Sequence, residues 1–217
     1  MKTSDFNYHL PNRLIAQTPV EPRDSSRLLV LERESGVMRH CCFTDIVDYL
    51  EPGDALVFND SRVIPARLYG RKRETGAKVE ALLLLRTSRN EWQALVKPAK
   101  KLTPGTVVEL QDQHDRDSEV TFEVVSRSED GTADIRFSNE DRLHELGMLA
   151  LPPYIHQRLD EPERYQTVYS RISGSVAAPT AGLHFTPELL RRIEEKGIRL
   201  LFVTLHIGLD TFRPVKE

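Results

Sequence analysis

The sequence is short of cysteine and of long apolar runs, and each shortage removes a class of protein. Its only cysteines are neighbours, Cys41 and Cys42. Adjacent thiols seldom close a structural disulfide, which excludes a disulfide-stapled secreted scaffold and fits a reducing cytosol. A strand burying one of the two thiols is favoured over a metal-binding or reactive pair. No stretch approaches the roughly 20 apolar residues of a membrane span, and the opening MKTSDFNYHLPNRL lacks a signal-peptide core. A cytoplasmic protein without a membrane partner is the expectation. A Walker loop, G-x-G-x-x-G, G-x-S-x-G and H-E-x-x-H are all missing. The histidines (His9, His40, His114, His144, His156, His184, His206) lack metal-ligand spacing, so no metal is expected. Nor is there an excess of one charge: 30 basic residues face 33 acidic ones, so bulk charge does not mark a nucleic-acid binder.

What is present is an ordinary globular composition, 39% hydrophobic and 29% charged over 217 residues, enough for one large domain or two small ones. The charge is unevenly placed. Arg62, Arg67, Arg71, Lys72, Arg73 and Lys78 face a single acid, Glu74, and a second basic knot follows at Lys97, Lys100 and Lys101. Such a run is either a solvated face or a phosphate-binding surface.

Periodicity divides the chain into two textures. The opening part mixes short elements: strands at Arg27–Glu32 and Val37–Phe43, a short helix Asp45–Leu50 capped by Thr44, and a buried strand Asp54–Asn59. Six β-type runs follow at Ala66–Arg71, Lys78–Arg86, Trp92–Lys97, Thr106–Leu110, Glu119–Ser126 and Thr132–Phe137. Turn signals separate most of them, which suggests an antiparallel barrel or sandwich. A capped helix, Ser138–Leu146, and the extended Leu151-Pro152-Pro153-Tyr154 then lead out. The final part is αβ: a Thr186-capped helix over Glu188–Lys196, and a strand Ile198–Ile207 apolar enough to be covered on both faces of a partly parallel sheet. The expected fold is therefore mixed α/β, with residues 1–63 and 150–217 forming one discontinuous domain and 64–149 an inserted β-barrel domain. A sheet begun by the last strand normally has more partners, so the sequence reads as a piece of a longer protein.

Three places carry candidate chemistry. The run Ser173–Gly182 (SGSVAAPTAG) has no side chain larger than Val176, which lets backbone approach a ligand closely. It leads into His184, Phe185 and a helix N-terminus suited to a carboxylate or phosphate. The alternative is a plain connector. The last strand ends in Thr204, His206, Gly208 and Asp210, with Thr204 and His206 on one face. Ligands of open α/β sheets bind at such carboxyl ends, and His184 and His206 form a possible acid–base pair. Arg62 and Arg67, after the polar Asn59-Asp60-Ser61, suit bidentate grip of carboxylate or phosphate, or are simply solvated.

Particular strings go further than composition. Asp5-Phe6-Asn7-Tyr8, Leu14-Ile15-Ala16-Gln17, Ser26-Arg27-Leu28-Leu29-Val30, Asn59–Leu68 (NDSRVIPARL), Tyr165-Gln166-Thr167-Val168-Tyr169, Ala177–Thr186 (AAPTAGLHFT) and Val203–His206 together resemble the S-adenosylmethionine:tRNA ribosyltransferase-isomerase family of queuosine biosynthesis. The resemblance spans essentially the whole chain. It implies an α/β domain with an inserted β-barrel. It also implies transfer and isomerisation of the ribosyl part of S-adenosylmethionine onto 7-aminomethyl-7-deazaguanine at the tRNA wobble position. The product would be epoxyqueuosine-tRNA, with adenine and methionine released. S-adenosylmethionine is then co-substrate, tRNA the partner, and a monomer the expected state. On that footing His184 and His206 share proton transfer, and the backbone around Ala178, Thr180 and Gly182 holds the methionine carboxylate or ribose. Phe185 stacks on a base and Asp210 reads a guanine-like edge. Arg67, Arg71, Lys72, Arg73, Lys97, Lys100 and Lys101 contact RNA phosphates. The family tends to have a smaller residue at Asp210, and its chains continue further. A non-catalytic RNA-binding module and a truncated homologue are the rival readings.

Overall fold

Residues 2–157 and 159–208 are described by the structure, a computed structural model of the chain. Short 3-10 turns at Thr3–Phe6, Asn12–Leu14 and Arg23–Ser25 precede a hairpin of β1 (Arg27–Leu31) and β2 (Met38–Cys42). Both thiols lie on β2 and neither is buried, contrary to the expectation that one would be. The short helix after β2 is a 3-10 turn, Phe43–Tyr49, which starts two residues before and ends one residue before the expected Asp45–Leu50. Its first turn is closed by the Asp45 carboxylate accepting from the Cys42 backbone N–H at 2.9 Å, so Cys42 rather than Thr44 occupies the cap. Two strands follow, β3 (Ala55–Asn59) and β4 (Ser61–Val63).

Alternation then builds a closed barrel. Its strands are β5 (Arg67–Lys72), β6 (Lys78–Ser88), β7 (Glu91–Lys97), β8 (Val107–Gln111), β9 (Asp117–Arg127) and β10 (Thr132–Phe137), each pairing antiparallel in the order β10-β7-β6-β5-β8-β9. These are the six runs read from the sequence. On β9, Val120, Phe122 and Val124 point inward at 0–2% exposure while Glu123 and Val125 point out. Closure leaves no free sheet edge. The core is filled by Leu68, Leu83, Val96, Val108, Leu110, Phe122 and Ile135.

The chain enters and leaves the barrel at one point. Arg67 and Met148 exchange backbone hydrogen bonds at 2.9 and 2.8 Å. Gly147 permits this approach, because a Cβ there would lie 2.0 Å from the Pro65 carbonyl oxygen. The helix expected over Ser138–Leu146 is only one turn, α1 (Leu143–Leu146), with Leu143 and Leu146 turned into the barrel core.

The remainder returns to the first part. β11 (Ile172–Ser175) runs parallel to β4, and β12 (Arg199–Val203) runs parallel to β3. Between them lies α2 (Pro187–Glu195), with Pro187 at its first position and Thr186 as cap. Leu189 and Ile193, both 0% exposed, pack with Phe43, Phe58 and Phe185 in a second core. Parallel pairing agrees with the apolar run of the last strand, but burial does not: Leu201, Phe202 and Val203 are 41–44% exposed among the described residues. The fold is mixed α/β with an inserted antiparallel barrel.

Candidate active site

A cavity of about 810 Å³ opens on the α/β side, between β3, the Pro152–Tyr154 linker, the Tyr165–Tyr169 segment and the small-residue run. Its walls are Leu56, Val57, Phe58 and Asn59 on one side and Ala177 to Gly182 on another, with Tyr154, Tyr165, Tyr169 and Phe185 as aromatic surfaces. None of the lining side chains is formally charged.

The small-residue run is two structures. Ser173 to Ser175 belong to β11; Thr180–His184 form a 3-10 turn against the cavity. Its glycine has a definite reason. A Cβ on Gly182 would lie 2.0 Å from the Tyr169 hydroxyl oxygen and 3.0 Å from the Thr167 methyl. Tyr169 in turn packs on Phe58 and Phe202, with ring centroids at 4.9 and 5.8 Å. Burial pushes the Tyr169 hydroxyl up to about 12, and burial likewise raises that of Tyr165. Between them Gln166 is buried and pairs twice with the Val63 backbone, at 2.9 Å each. The Tyr-Gln-Thr-Val-Tyr string therefore presents two rings to the cavity and anchors itself to β4.

The end of β12 is stitched in place from two sides. The Asn59 side chain accepts from Leu205 N–H at 3.0 Å and donates to its carbonyl at 2.8 Å. Asp60, 2% exposed, accepts from the Thr204 hydroxyl at 2.7 Å and from the Arg171 guanidinium at 2.6 and 3.1 Å. Those bonds, Thr204 first, hold the Asp60 carboxyl below its ordinary range. From the other side the Ser175 hydroxyl accepts from Ile207 N–H at 2.9 Å and donates to the Ala177 carbonyl at 2.7 Å. The outcome is that Ile207 reaches the cavity wall.

Of the residues expected at the site, Ala178, Thr180, Gly182 and Phe185 line the cavity. Phe185 is 7% exposed and meets Phe43 and Phe58 edge-on at 5.0 Å, so most of its ring serves the core. His206 is exposed beside Ile207, its ring laid over Gly174; a Cβ on that glycine (φ +143°) would come within 2.8 Å of the imidazole. His184 is half-buried. Its Nδ1 lies 2.8 Å from the Ser26 hydroxyl, and its ring is 5.0 Å from that of Phe43. The two histidines thus have separate surroundings. Thr204 is bound to Asp60, and Gly208 is exposed. Arg62 bonds Ser170 at 3.1 Å and pairs with Glu163, so it grips the protein's own carboxylate. At the α2 N-terminus the Thr186 hydroxyl accepts from Leu189 N–H at 3.1 Å and donates to Asp24 at 2.8 Å. Asp210 lies outside the described residues. Tyr165, Tyr169, Asn59, Asp60 and Ser175 were not among the expected site residues, although the first four fall inside the strings that carry the resemblance.

On the barrel, Arg67 sits at the junction with its Nε 3.4 Å from Glu80, whereas Arg73 pairs with Glu109 at 2.8 Å. Arg71 donates to the Gly76 carbonyl at 3.2 Å and Lys72 to the Lys101 carbonyl at 2.9 Å. Lys97, Lys100 and Lys101 are exposed. Among the described residues no cluster of three or more His, Cys, Asp and Glu is placed to hold a metal ion, and no helix is long and apolar enough to cross a membrane.

The fold and site define a mixed α/β protein with a closed barrel let into a parallel-stranded unit and an uncharged aromatic cavity on the α/β side. Comparison with known proteins supplies the particular kind: residues 3–217 match the model of the family described as "Queuosine biosynthesis protein", and the chain belongs to that family. Similar proteins named S-adenosylmethionine:tRNA ribosyltransferase-isomerase occur in Dehalococcoides mccartyi strain CBDB1 (58% identical over 219 residues), Clostridioides difficile strain 630 (56% over 220 residues) and Staphylococcus epidermidis strain ATCC 12228 (52% over 219 residues). Each match takes in 99–100% of this chain and 63% of the relative, so the chain spans just under two thirds of their length. It is also similar to the crystal structure of an S-adenosylmethionine tRNA ribosyltransferase from Thermotoga maritima, with 39% identity, 94% of this chain and 58% of that one covered, and a TM-score of 0.39.

Proposed function

We propose that this chain forms the S-adenosylmethionine-binding part of a tRNA ribosyltransferase-isomerase. In this reading the ribosyl group of S-adenosylmethionine is transferred to 7-aminomethyl-7-deazaguanine at the wobble position, isomerises to the epoxycyclopentane of epoxyqueuosine, and leaves adenine and methionine behind. Residues 1–63 with 150–217 serve as the substrate-holding unit and 64–149 as an inserted unit for RNA.

The observation that carries the reading is the character of the cavity. Its volume of about 810 Å³ is ample for one nucleoside-sized molecule. A sulfonium is a cation whose charge sits on a methylated centre with no proton to donate, so aromatic faces recognise it better than hydrogen-bond acceptors do. Tyr154, Tyr165 and Tyr169 supply such faces with no competing charge in the lining. Backbone from Ala178 to Gly182 comes close because no bulky side chain intervenes, and it takes the carboxylate or ribose hydroxyls.

The sulfonium acidifies the adjacent ribosyl carbon, so a base removes its proton, and adenine departs as a protonated leaving group. His206 and His184 share these duties, although neither lines the cavity: His206 is exposed next to the lining residue Ile207, and the Ser26 hydroxyl fixes the ring orientation of His184. The test is adenine release from S-adenosylmethionine in the presence of tRNA carrying the precursor base, with the enzyme at the full length of its relatives. His184→Ala and His206→Ala are each expected to slow turnover at least 100-fold while keeping a cooperative melting transition. Full turnover by both variants would remove the acid–base assignment, and adenine release without RNA modification would remove the transferase reading.

A further inference from the structure

The two basic knots, separate in sequence, meet in space at one end of the barrel. Arg67 and Lys72 stand at opposite ends of β5, about 17 Å apart at strand rise. The end that holds Lys72 is the one away from the Arg67–Met148 junction. Three loops close that distal end: KRETGAK (72–78), KPAKKLTPGT (97–106) and RSEDGT (127–132). They carry seven basic residues against three acidic ones. The loops at the junction end, RTSRNE (86–91), QDQHDRD (111–117) and FSNEDR (137–142), carry four against six. The barrel is therefore polarised along its axis.

Internal bonds bring the distal cations together. The Lys72 ammonium donates to the Lys101 carbonyl at 2.9 Å, and the Arg127 guanidinium donates to the Ala99 carbonyl at 2.8 Å. Both hold the 99–101 turn from either side, so Lys100 and Lys101 are displayed on a braced loop. Arg127, which the linear reading did not single out, joins the patch only through the barrel's strand order. Arg73 is partly neutralised by Glu109. None of the large exposed apolar side chains among the described residues lies in these three loops, and Leu102 is 0% exposed. A membrane-docking surface needs apolar side chains to insert. A phosphate backbone needs only cations.

We propose that the distal end of the barrel, centred on Lys97, Lys100, Lys101 and Arg127, binds the RNA phosphate backbone as a sequence-independent clamp remote from the reacting nucleotide. The inference rests on the reading of tRNA as substrate and assigns the contact to this end of the barrel rather than to the whole strip that begins at Arg67. Binding energy gained at a remote part of a substrate is available to position its reacting part.

The test uses this chain and unmodified tRNA, with affinity measured across a salt series. Each phosphate contact contributes roughly 0.7–0.9 to the log–log salt slope, or about five- to eightfold between 0.1 M and 1 M salt. The triple variant K97Q/K100Q/K101Q is expected to lose about two units of slope and roughly 100-fold in affinity at 0.1 M salt. The charge-keeping K97R/K100R/K101R is expected to bind as the original chain does, and R89Q/R116Q, at the junction end, to leave affinity and slope unchanged. Melting curves of each variant establish folding. Wild-type affinity and slope in the glutamine triple overturn the clamp alone, as does equal loss in the arginine triple. Failure of the unaltered chain to bind any tRNA at low salt overturns the substrate reading with it. Polyglutamate or anionic vesicles captured through the distal lysines while tRNA is unaffected assign the surface to another partner, and also refute the proposal.

Discussion

Replacing Gly182 by alanine tests whether the small-residue turn is shaped by the aromatic wall behind it. The new methyl carbon would lie 2.0 Å from the Tyr169 hydroxyl oxygen and 3.2 Å from the ring carbon that bears it. Something must move. The tyrosine ring is held between Phe58 and Phe202, so it cannot swing without loosening two aromatic contacts. Overpacking of this kind costs about 1–3 kcal/mol. For a chain of this length that corresponds to a fall in melting midpoint of roughly 2–12 °C. The substitution Tyr169→Phe removes the oxygen that clashes. The double variant is therefore expected to recover about 1 kcal/mol relative to the sum of the single changes, a coupling typical of residues in contact. Urea unfolding of the four proteins measures this directly. Unchanged stability in Gly182→Ala, or strict additivity with Tyr169→Phe, would refute the packing argument and return the turn to a plain connector.

Thr186→Ala removes both the cap to Leu189 and the bond to Asp24, and is expected to cost about 1–2 kcal/mol in urea unfolding, with Thr186→Ser restoring most of it. Phenolate absorbance should show a tyrosine that ionises near pH 12; because the folded value lies above the unfolded 10.0, the associated stability is complete below pH 10 and is lost as pH rises towards 12. A tyrosine set titrating uniformly at the ordinary value would contradict the burial of Tyr169. Residues 64–149 expressed alone are expected to unfold in one cooperative step with β-type circular dichroism, since the barrel closes on itself and carries its own core. A fragment with no cooperative transition would count against treating it as an inserted unit.

Much of the fold is legible in the sequence because it depends on local pattern. The six barrel strands announce themselves by alternation and by turn residues such as Thr75-Gly76 and Asp130-Gly131, and Thr186-Pro187 marks the start of α2. Elements that depend on tertiary partners are less visible. The helix expected over Ser138–Leu146 shrinks to a turn because Leu143 and Leu146 are drawn down onto the barrel. β12 is apolar enough for a covered strand, yet Leu201, Phe202 and Val203 remain well exposed among the described residues. At the site, the small-residue run and His206 are readable as composition. The Tyr169–Gly182 contact, the Asn59 and Asp60 clamps on the end of β12, and Arg127 beside Ala99 are not. Each joins residues that only the completed topology makes neighbours. Nor are the partners of Arg62 and Thr186 readable, because Glu163 and Asp24 reach them from distant parts of the sequence.

The most direct test of the central claim is calorimetric titration of S-adenosylmethionine into this chain and into its Thr180→Trp variant. Thr180 is exposed on the cavity rim, so an indole there fills the opening without disturbing the core. One molecule is expected to bind per chain, with at least tenfold weaker binding to the variant at equal thermal stability. Binding that is indifferent to the indole, or no binding to either chain, would contradict it.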